Sequence, residues 1–371
     1  MRKKLIVFII TGLCSMVLFS GCWDQRPIDQ TGVVLQSGFE LSPEHKLLLT
    51  ITYPAIGAKE KDLDEIISVE ADLVRKAGNE FKTTSSKVLG FGKVRHLFFS
   101  KDLAALGIHH IMEILERDPL HPPLSYVVVV DGSPKELLEK VETFTTKPRS
   151  SFYLNQLLEN NINTAYAPDM KTYDFFIRYF APGLDPITPL IKLEADGVRV
   201  LGSALFAGDK MVGAIDTQQT AYLLAMMGQF KNTDLFFNPI TPEKTESLKK
   251  GLALSNVRCR RKIRVDMENG RPVADIALTF TGLLIEYRRD ALDQPSVQEQ
   301  IEEELAGQIK QACLEILRYT QEIGSDPLGI GDLVRAKFPA YWQRVDWRTA
   351  YRETTVKLSV KLNILQYDAI H

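Results

Sequence analysis

Apolar and polar positions along this chain change period several times, and each change marks an element. From Thr355 to Leu365 they alternate strictly, with Val356, Leu358, Val360, Leu362 and Ile364 on one side and Lys357, Ser359, Lys361 and Asn363 on the other. A period of two predicts a half-buried antiparallel strand. From Val297 the spacing turns helical, with Ile301, Leu305, Ile309, Cys313, Ile316 and Ile323 on one stripe. Ser296 with Glu299 predicts a capping box at its start, and Gly324 its end. That helix is ~28 residues, or ~42 Å, long. Asp332 to Val345 reads as a shorter helix.

The same reading predicts three hairpins. One joins Val257–Met267 to Pro272–Leu284 through Asn269-Gly270, and one joins Gly197–Leu205 to Lys210–Ile215 through Gly208-Asp209. The third joins Thr31–Glu40 to Lys46–Pro54 around Ser42-Pro43-Glu44. Ile66–Val69 is a short strand, and Val88–Ser100 a strand pair or one long bent strand loosened by Gly90 and Gly92. Tyr126–Val130 is an uninterrupted apolar run, hence a strand buried on both faces. Helical spacing covers Ala71–Lys82, Asp102–Glu116, Pro134–Val141, Phe152–Asn160 and Thr172–Phe180. Asp216 and Gln219 cap a further helix, Thr217–Phe230, and Pro182, Gly183, Pro186 and Pro189 make a rigid crossing.

Polar, proline-broken stretches at Glu142–Ser151 and Asn238–Pro242 set the expected boundaries. These give an N-terminal α/β domain over 31–145, a middle α+β domain over 146–238 and a C-terminal α+β domain over 239–371 with the long helix. The fold class is α+β: three mixed α/β domains, with antiparallel or mixed sheets packed by helices.

The first residues follow another rule. Arg2, Lys3 and Lys4 precede an apolar run from Leu5 to Phe19, then Ser20, Gly21 and Cys22. This is the pattern of a cleaved secretory signal over 1–21. The run of ~15 residues falls short of the ~20 that span a bilayer as a helix. Small residues directly before Cys22 fit a bacterial lipobox, where the thiol takes a diacylglyceryl group and the freed amine an acyl chain. Phe19 stands where a lipobox usually carries Leu, and Cys14, behind bulky Leu13, reads as filling of the signal. Each buried methylene adds ~0.8 kcal/mol, so two or three acyl chains hold a protein on a membrane. Residues 22–30 then form a short tether, which keeps the folded part beside the membrane.

Composition narrows the function further. Of 371 residues, 45 % are hydrophobic and 25 % charged, as in globular proteins. The formal charge is −2, and the signal removes three cations and no acid. A mildly acidic mature chain argues against nucleic acid as a partner. Cys259 and Cys313 can pair in an oxidising compartment, though separate buried thiols are favoured in a chain of this size. Adjacent His109 and His110 point to different helix faces, so they do not jointly ligate a metal. Gly90-Phe91-Gly92 is a strand irregularity, not a dinucleotide loop, and no nucleophile or phosphate-loop motif occurs. Arg258, Arg260, Arg261, Lys262 and Arg264 read as a solvated strand face. Asp326-Pro327-Leu328-Gly329-Ile330-Gly331 lacks the alternating oxygen ligands of a calcium loop, so its glycines serve a chain reversal and a helix start. Trp342 and Trp347 are expected to anchor core. We therefore expect no catalytic residue, no metal and no cofactor.

The order of these pieces resembles the lipoprotein C subunit of spore germinant receptors, the Ger(x)C family. Gly21-Cys22-Trp23-Asp24 is similar to its processing site. Gly202-Ser203-Ala204-Leu205-Phe206, Asp209-Lys210 and Val212-Gly213 are similar to its hairpin, and the 326–331 run with Pro339, Trp342 and Trp347 to its most recognisable signature. Lys93 stands where the family tends to carry His or Gln. The resemblance implies a lipid-anchored, non-enzymatic subunit on the outer face of the spore inner membrane. It implies integral membrane A and B subunits as partners, and nutrient-triggered germination as the process. A solute-binding lipoprotein of a transport system is the alternative. That class shows two similar lobes and a longer tether.

Overall fold

The computed structural model describes residues 4, 6, 30–55, 64–119, 121–144, 148–237, 252–287 and 294–366. Cys22, the signal segment and the boundary expected at 238–242 lie outside the described residues. Within them the run at Tyr126–Val130 (β7) sits inside an eight-stranded sheet. Parallel neighbours flank it: His96–Ser100 (β6) on one side and Ile187–Glu194 (β8) on the other. Gln36–Leu41 (β2) pairs parallel to β6 and then leads an antiparallel run through Leu47–Pro54 (β3) to Asp64–Ala71 (β4). At the other edge β8 joins the hairpin of Gly197–Ala207 (β9) and Lys210–Asp216 (β10). Thr31–Val33 (β1) and Val88–Gly90 (β5) form a small parallel pair of their own.

The strand and helix lengths follow the expected pattern with instructive exceptions. Pro189, read as part of a rigid crossing, lies inside β8, so the crossing contains a strand. The stretch 88–100 holds two strands, and β5 and β6 pair with different partners, not with each other. The helix expected over 102–116 is two: Lys101–Leu106 (α2) and His109–Glu116 (α3), parted at Gly107 with φ 119°. Val74–Thr84 (α1), Pro134–Glu142 (α4), Ser150–Asn163 (α5) and Thr172–Phe180 (α6) match their apolar spacing. The Asp216–Gln219 capping box is formed, and it starts Thr217–Met227 (α7), which ends at left-handed Gly228.

A second sheet, in the order β11-β12-β13-β14, holds the C-terminal part. Thr233–Phe237 (β11) was not foreseen; Leu252–Glu268 (β12) and Arg271–Tyr287 (β13) form the expected hairpin, with Asn269 and Gly270 both at positive φ. The strand Thr355–Gln366 (β14) shows the expected alternation but runs parallel to β13, not antiparallel. Parallel neighbours need a long crossover, and Pro295–Ile323 (α8) is that connection. Side-chain alternation reports which face is buried and carries no strand direction. The Ser296–Glu299 box is also absent: Pro295 at the first turn starts α8 from Gln294, without a side-chain cap. The helix expected over 332–345 is broken into Ile330–Lys337 (α9), Pro339–Trp342 (α10) and, further on, Trp347–Arg352 (α11).

Two apolar layers enclose the large sheet. Phe98, Val128 and Val130 face Leu137, Leu138 and Val141 of α4 and Leu154, Leu158 and Ile162 of α5. Leu97, Phe99, Val127 and Val129 face the other way, as a strand buried on both sides requires. That second core runs on, through α7, into the C-terminal sheet. Residues 220–227 of α7 are all buried, which is why its apolar positions show little one-sidedness. The division expected at 142–151 falls between α4 and α5, inside the span of one continuous sheet.

Candidate functional site

The 326–331 run becomes a site only by meeting a segment far away in sequence. Asp326 is 2 % exposed. Its Oδ1 accepts from Ile330 N at 3.1 Å, and its Oδ2 from Gly331 N at 2.7 Å and Trp347 Nε1 at 3.1 Å. The carboxylate thus fills the donors at the start of α9 and fixes the Trp347 ring. Asp185, in the loop before β8, answers it. Asp185 Oδ2 accepts from Asp326 N at 2.8 Å, and Asp185 N donates to Asp326 O at 2.9 Å. Asp185 Oδ1 accepts from Gly208 N at 2.6 Å and from Arg348 Nη2 at 3.3 Å. Arg178 Nη1 donates to the carbonyls of Asp185 and Pro327.

Glycine lets the two backbones touch here. A Cβ on Gly183, whose φ is +78°, would lie 2.6 Å from Gly331 C. A Cβ on Gly331 would strike Trp347 Nε1 and lie 2.7 Å from Gly183 Cα. Burial pushes the Asp326 carboxyl up to about 7; the donors from Gly331, Ile330 and Trp347 oppose the shift, and the charge of Asp185 adds to it. Every carboxylate oxygen of the pair has a donor, so the arrangement holds distant segments together. Trp347 is buried, with Trp342 half-buried 5.6 Å away between ring centres, as core anchors.

A second polar cluster lies under α5. Ser150 Oγ is 2.9 Å from Asp64 Oδ2 and 3.2 Å from Gln36 Oε1, which also accepts from Thr52 Oγ1. Glu142 Oε1 accepts from Asp64 N at 2.7 Å. Burial raises both carboxyl pKa values. His96, fully buried beside this cluster in β6, stacks on Phe98 and Tyr126; neither ring nitrogen has a hydrogen bond of good geometry, and the Asn155 side chain near it only partly offsets burial. Burial, and then the charge of Arg95, push it down to about 3.

The other candidate residues sit apart. His109 stacks on Tyr179 at 4.3 Å, and among the described residues no three His, Cys, Asp or Glu side chains gather to hold a metal. Cys259 and Cys313 are free thiols, each pushed up to about 12 by burial. Arg258, Arg260, Lys262 and Arg264 face solvent, whereas Arg261 turns inward and donates to Met226 O. Asp185 and Arg348 escaped the sequence reading, and Gly183 was read only as part of a rigid crossing. The one available signal was the density of glycine and proline at 182–189.

Sequence profiles of two domains match the chain in order: the spore germination protein N-terminal domain over 24–193 and the spore germination B3/GerAC-like C-terminal domain over 201–367. The chain belongs to this spore germination family. Among similar proteins of the family are spore germination protein GerQC of Bacillus cereus, 20 % identical with 98 % of each chain covered, and spore germination protein B3 of Bacillus subtilis (strain 168), 21 % identical over 100 % of this chain and 98 % of the other. The crystal structure of the GerBC protein superimposes with a TM-score of 0.57 at 16 % identity, over 89 % of this chain and 96 % of that one, which shows a shared fold. The first family match ends at 193 in β8 and the second begins at 201 in β9, so the Asp185–Asp326 junction ties the N-terminal match to the C-terminal one. No helix among the described residues is long and apolar enough to cross a membrane.

Proposed function

We propose that this protein is the lipid-anchored, non-enzymatic C subunit of a nutrient germinant receptor. It acts with integral membrane A and B subunits on the outer face of the spore inner membrane and takes part in triggering germination. The observation that carries this reading is the ordered match to both germination domains, the first beginning two residues after Cys22. Full-length relatives named as spore germination proteins support the same role. In this reading Cys22 carries S-diacylglycerol and an N-acyl chain, and residues 22–30 tether the fold. The domains work as a scaffold: the paired aspartates are used up in joining segments, which suits a subunit that relays or positions and does not turn over substrate.

Cys22→Ala should abolish incorporation of labelled palmitate and release the protein from the membrane fraction. Detergent extraction of spores followed by affinity purification should bring two polytopic proteins with it. Undiminished label in the variant, or purification of the protein alone, would refute the anchor and the complex respectively.

A further inference from the structure

One end of the large sheet gathers several exposed apolar side chains beside exposed cations. Backbone hydrogen bonds trace that end. Arg95 N donates to Leu35 O, Tyr126 N to Arg95 O, and Thr172 N to Ser125 O. The parallel strands β2, β6 and β7 therefore begin side by side, and α6 begins on the same row. From there α6 passes toward the β9–β10 turn, where Tyr179 approaches Gly208 and stacks on His109. Phe175 and Phe176 of α6 are buried against the core. The adjoining stripe is largely open: Tyr173 is 56 %, Ile177 47 % and Phe180 59 % exposed, although Phe180 stacks on Phe176 and meets His109 edge-on. These three exposed positions are spaced four and three apart, so they form one stripe on the helix. Leu124 (65 %) lies beside Tyr173, whose N donates to Pro123 O, and Leu106 (63 %) ends α2 close to the β9–β10 turn. Side chains with an apolar body and a polar tip, as in Tyr173, favour a membrane–water boundary. Lys93 and Arg95 are exposed on this row, and Lys171 lies 4.1 Å over the Tyr126 ring and 2.7 Å from Asp169 Oδ1.

The chain itself says what covers this face. It enters the fold at β1, which leads through Val34 and Leu35 directly into this row. The eight residues from Trp23 to Gln30 reach at most ~30 Å when extended. We propose that the exposed face of α6, with Leu106 and Leu124, rests on the lipid bilayer that holds the Cys22 acyl chains, with Lys93 and Arg95 at the headgroups. The proposal rests on the lipid-anchor reading above and adds an orientation to it. The sheet then stands with β2, β6 and β7 starting at the membrane, and the outer edge of the small sheet is left for solvent or for another protein.

The test uses the full lipidated chain reconstituted in vesicles of phosphatidylethanolamine and phosphatidylglycerol. An environment-sensitive fluorophore is placed through Ile177→Cys, and in a separate sample through Leu365→Cys, an exposed apolar position on β14. Protein without an added cysteine is treated in parallel, and its background labelling at half-buried Cys259 and buried Cys313 is subtracted. Lipids carrying a nitroxide near the headgroup should quench the label at 177 at least twofold more than the label at 365. Ile177→Glu with Phe180→Glu, both at exposed positions, should leave the chain on vesicles and make a label at Tyr173→Cys as accessible to aqueous iodide as the one at 365. Equal quenching at 177 and 365 in protein that floats with the vesicles overturns the orientation and leaves the anchor standing. Protein that does not float overturns both. A label at 177 that is shielded only when the membrane partners are added assigns the face to protein and also overturns the proposal.

Discussion

Gly331→Ala tests the junction between Asp185 and Asp326 with a single methyl group. The new Cβ would collide with Trp347 Nε1, approach Trp347 Cε2 to 2.6 Å and Gly183 Cα to 2.7 Å. No flexible side-chain tip can move out of the way. If Trp347 retreats, its hydrogen bond to Asp326 Oδ2 is lost, and a buried N–H without an acceptor costs about 1–3 kcal/mol. If Gly183 retreats, the Asp332 N to Gly183 O bond of 3.1 Å goes instead. Overpacking strain adds about 1–3 kcal/mol. The expected loss is therefore about 2–6 kcal/mol, a large share of a domain stability of about 5–15 kcal/mol. Gly78→Ala is the matched control. Gly78 lies within α1, and a Cβ there meets nothing within 4 Å. The same methyl should there stabilise by about 0.5–1 kcal/mol through helix propensity. Equilibrium urea unfolding of the mature chain in detergent, followed by far-ultraviolet circular dichroism and tryptophan fluorescence, measures both. If Gly331→Ala stays within 0.5 kcal/mol of the parent, the close backbone contact does not hold the halves together.

Two further outcomes follow from single residues. His96 has its pKa lowered to about 3 by burial, so its contribution to stability is complete above its unfolded value of 6.5 and is lost as pH falls toward 3. The loss is on the order of 5 kcal/mol, and His96→Gln should flatten this acid limb of a stability–pH profile; an unchanged slope between pH 6 and 4 would show that His96 is not the group responsible. Asp216→Ala removes the acceptor at 2.8 Å from Gln219 N and should destabilise the chain by about 1 kcal/mol in thermal melts, whereas Asp216→Asn should recover most of it.

The local grammar of this chain was readable from its residues. The capping box at Asp216 and Gln219, the turn at Asn269-Gly270 and the double-sided burial of Tyr126–Val130 depend on neighbours in sequence and on side-chain period. So does the basic, apolar, small-residue start that names Cys22 as the expected anchor, a residue outside the described part. Tertiary structure decided the rest. Alternation in 355–365 gave the buried face of β14, but its parallel pairing came from the crossover through α8. The 326–331 run announced its glycines, yet Asp326 meets Asp185 across a separation of 141 residues, and no period or motif encodes such a partner. Likewise, apolar residues run round most of α6, leaving only the Asp174–Arg178 side polar, and packing determines that Phe175 is buried while Phe180 is exposed. Short-range hydrogen bonding and hydrophobic period act within a few residues, and these long-range pairings are settled only when whole sheets and helices compete for the same core.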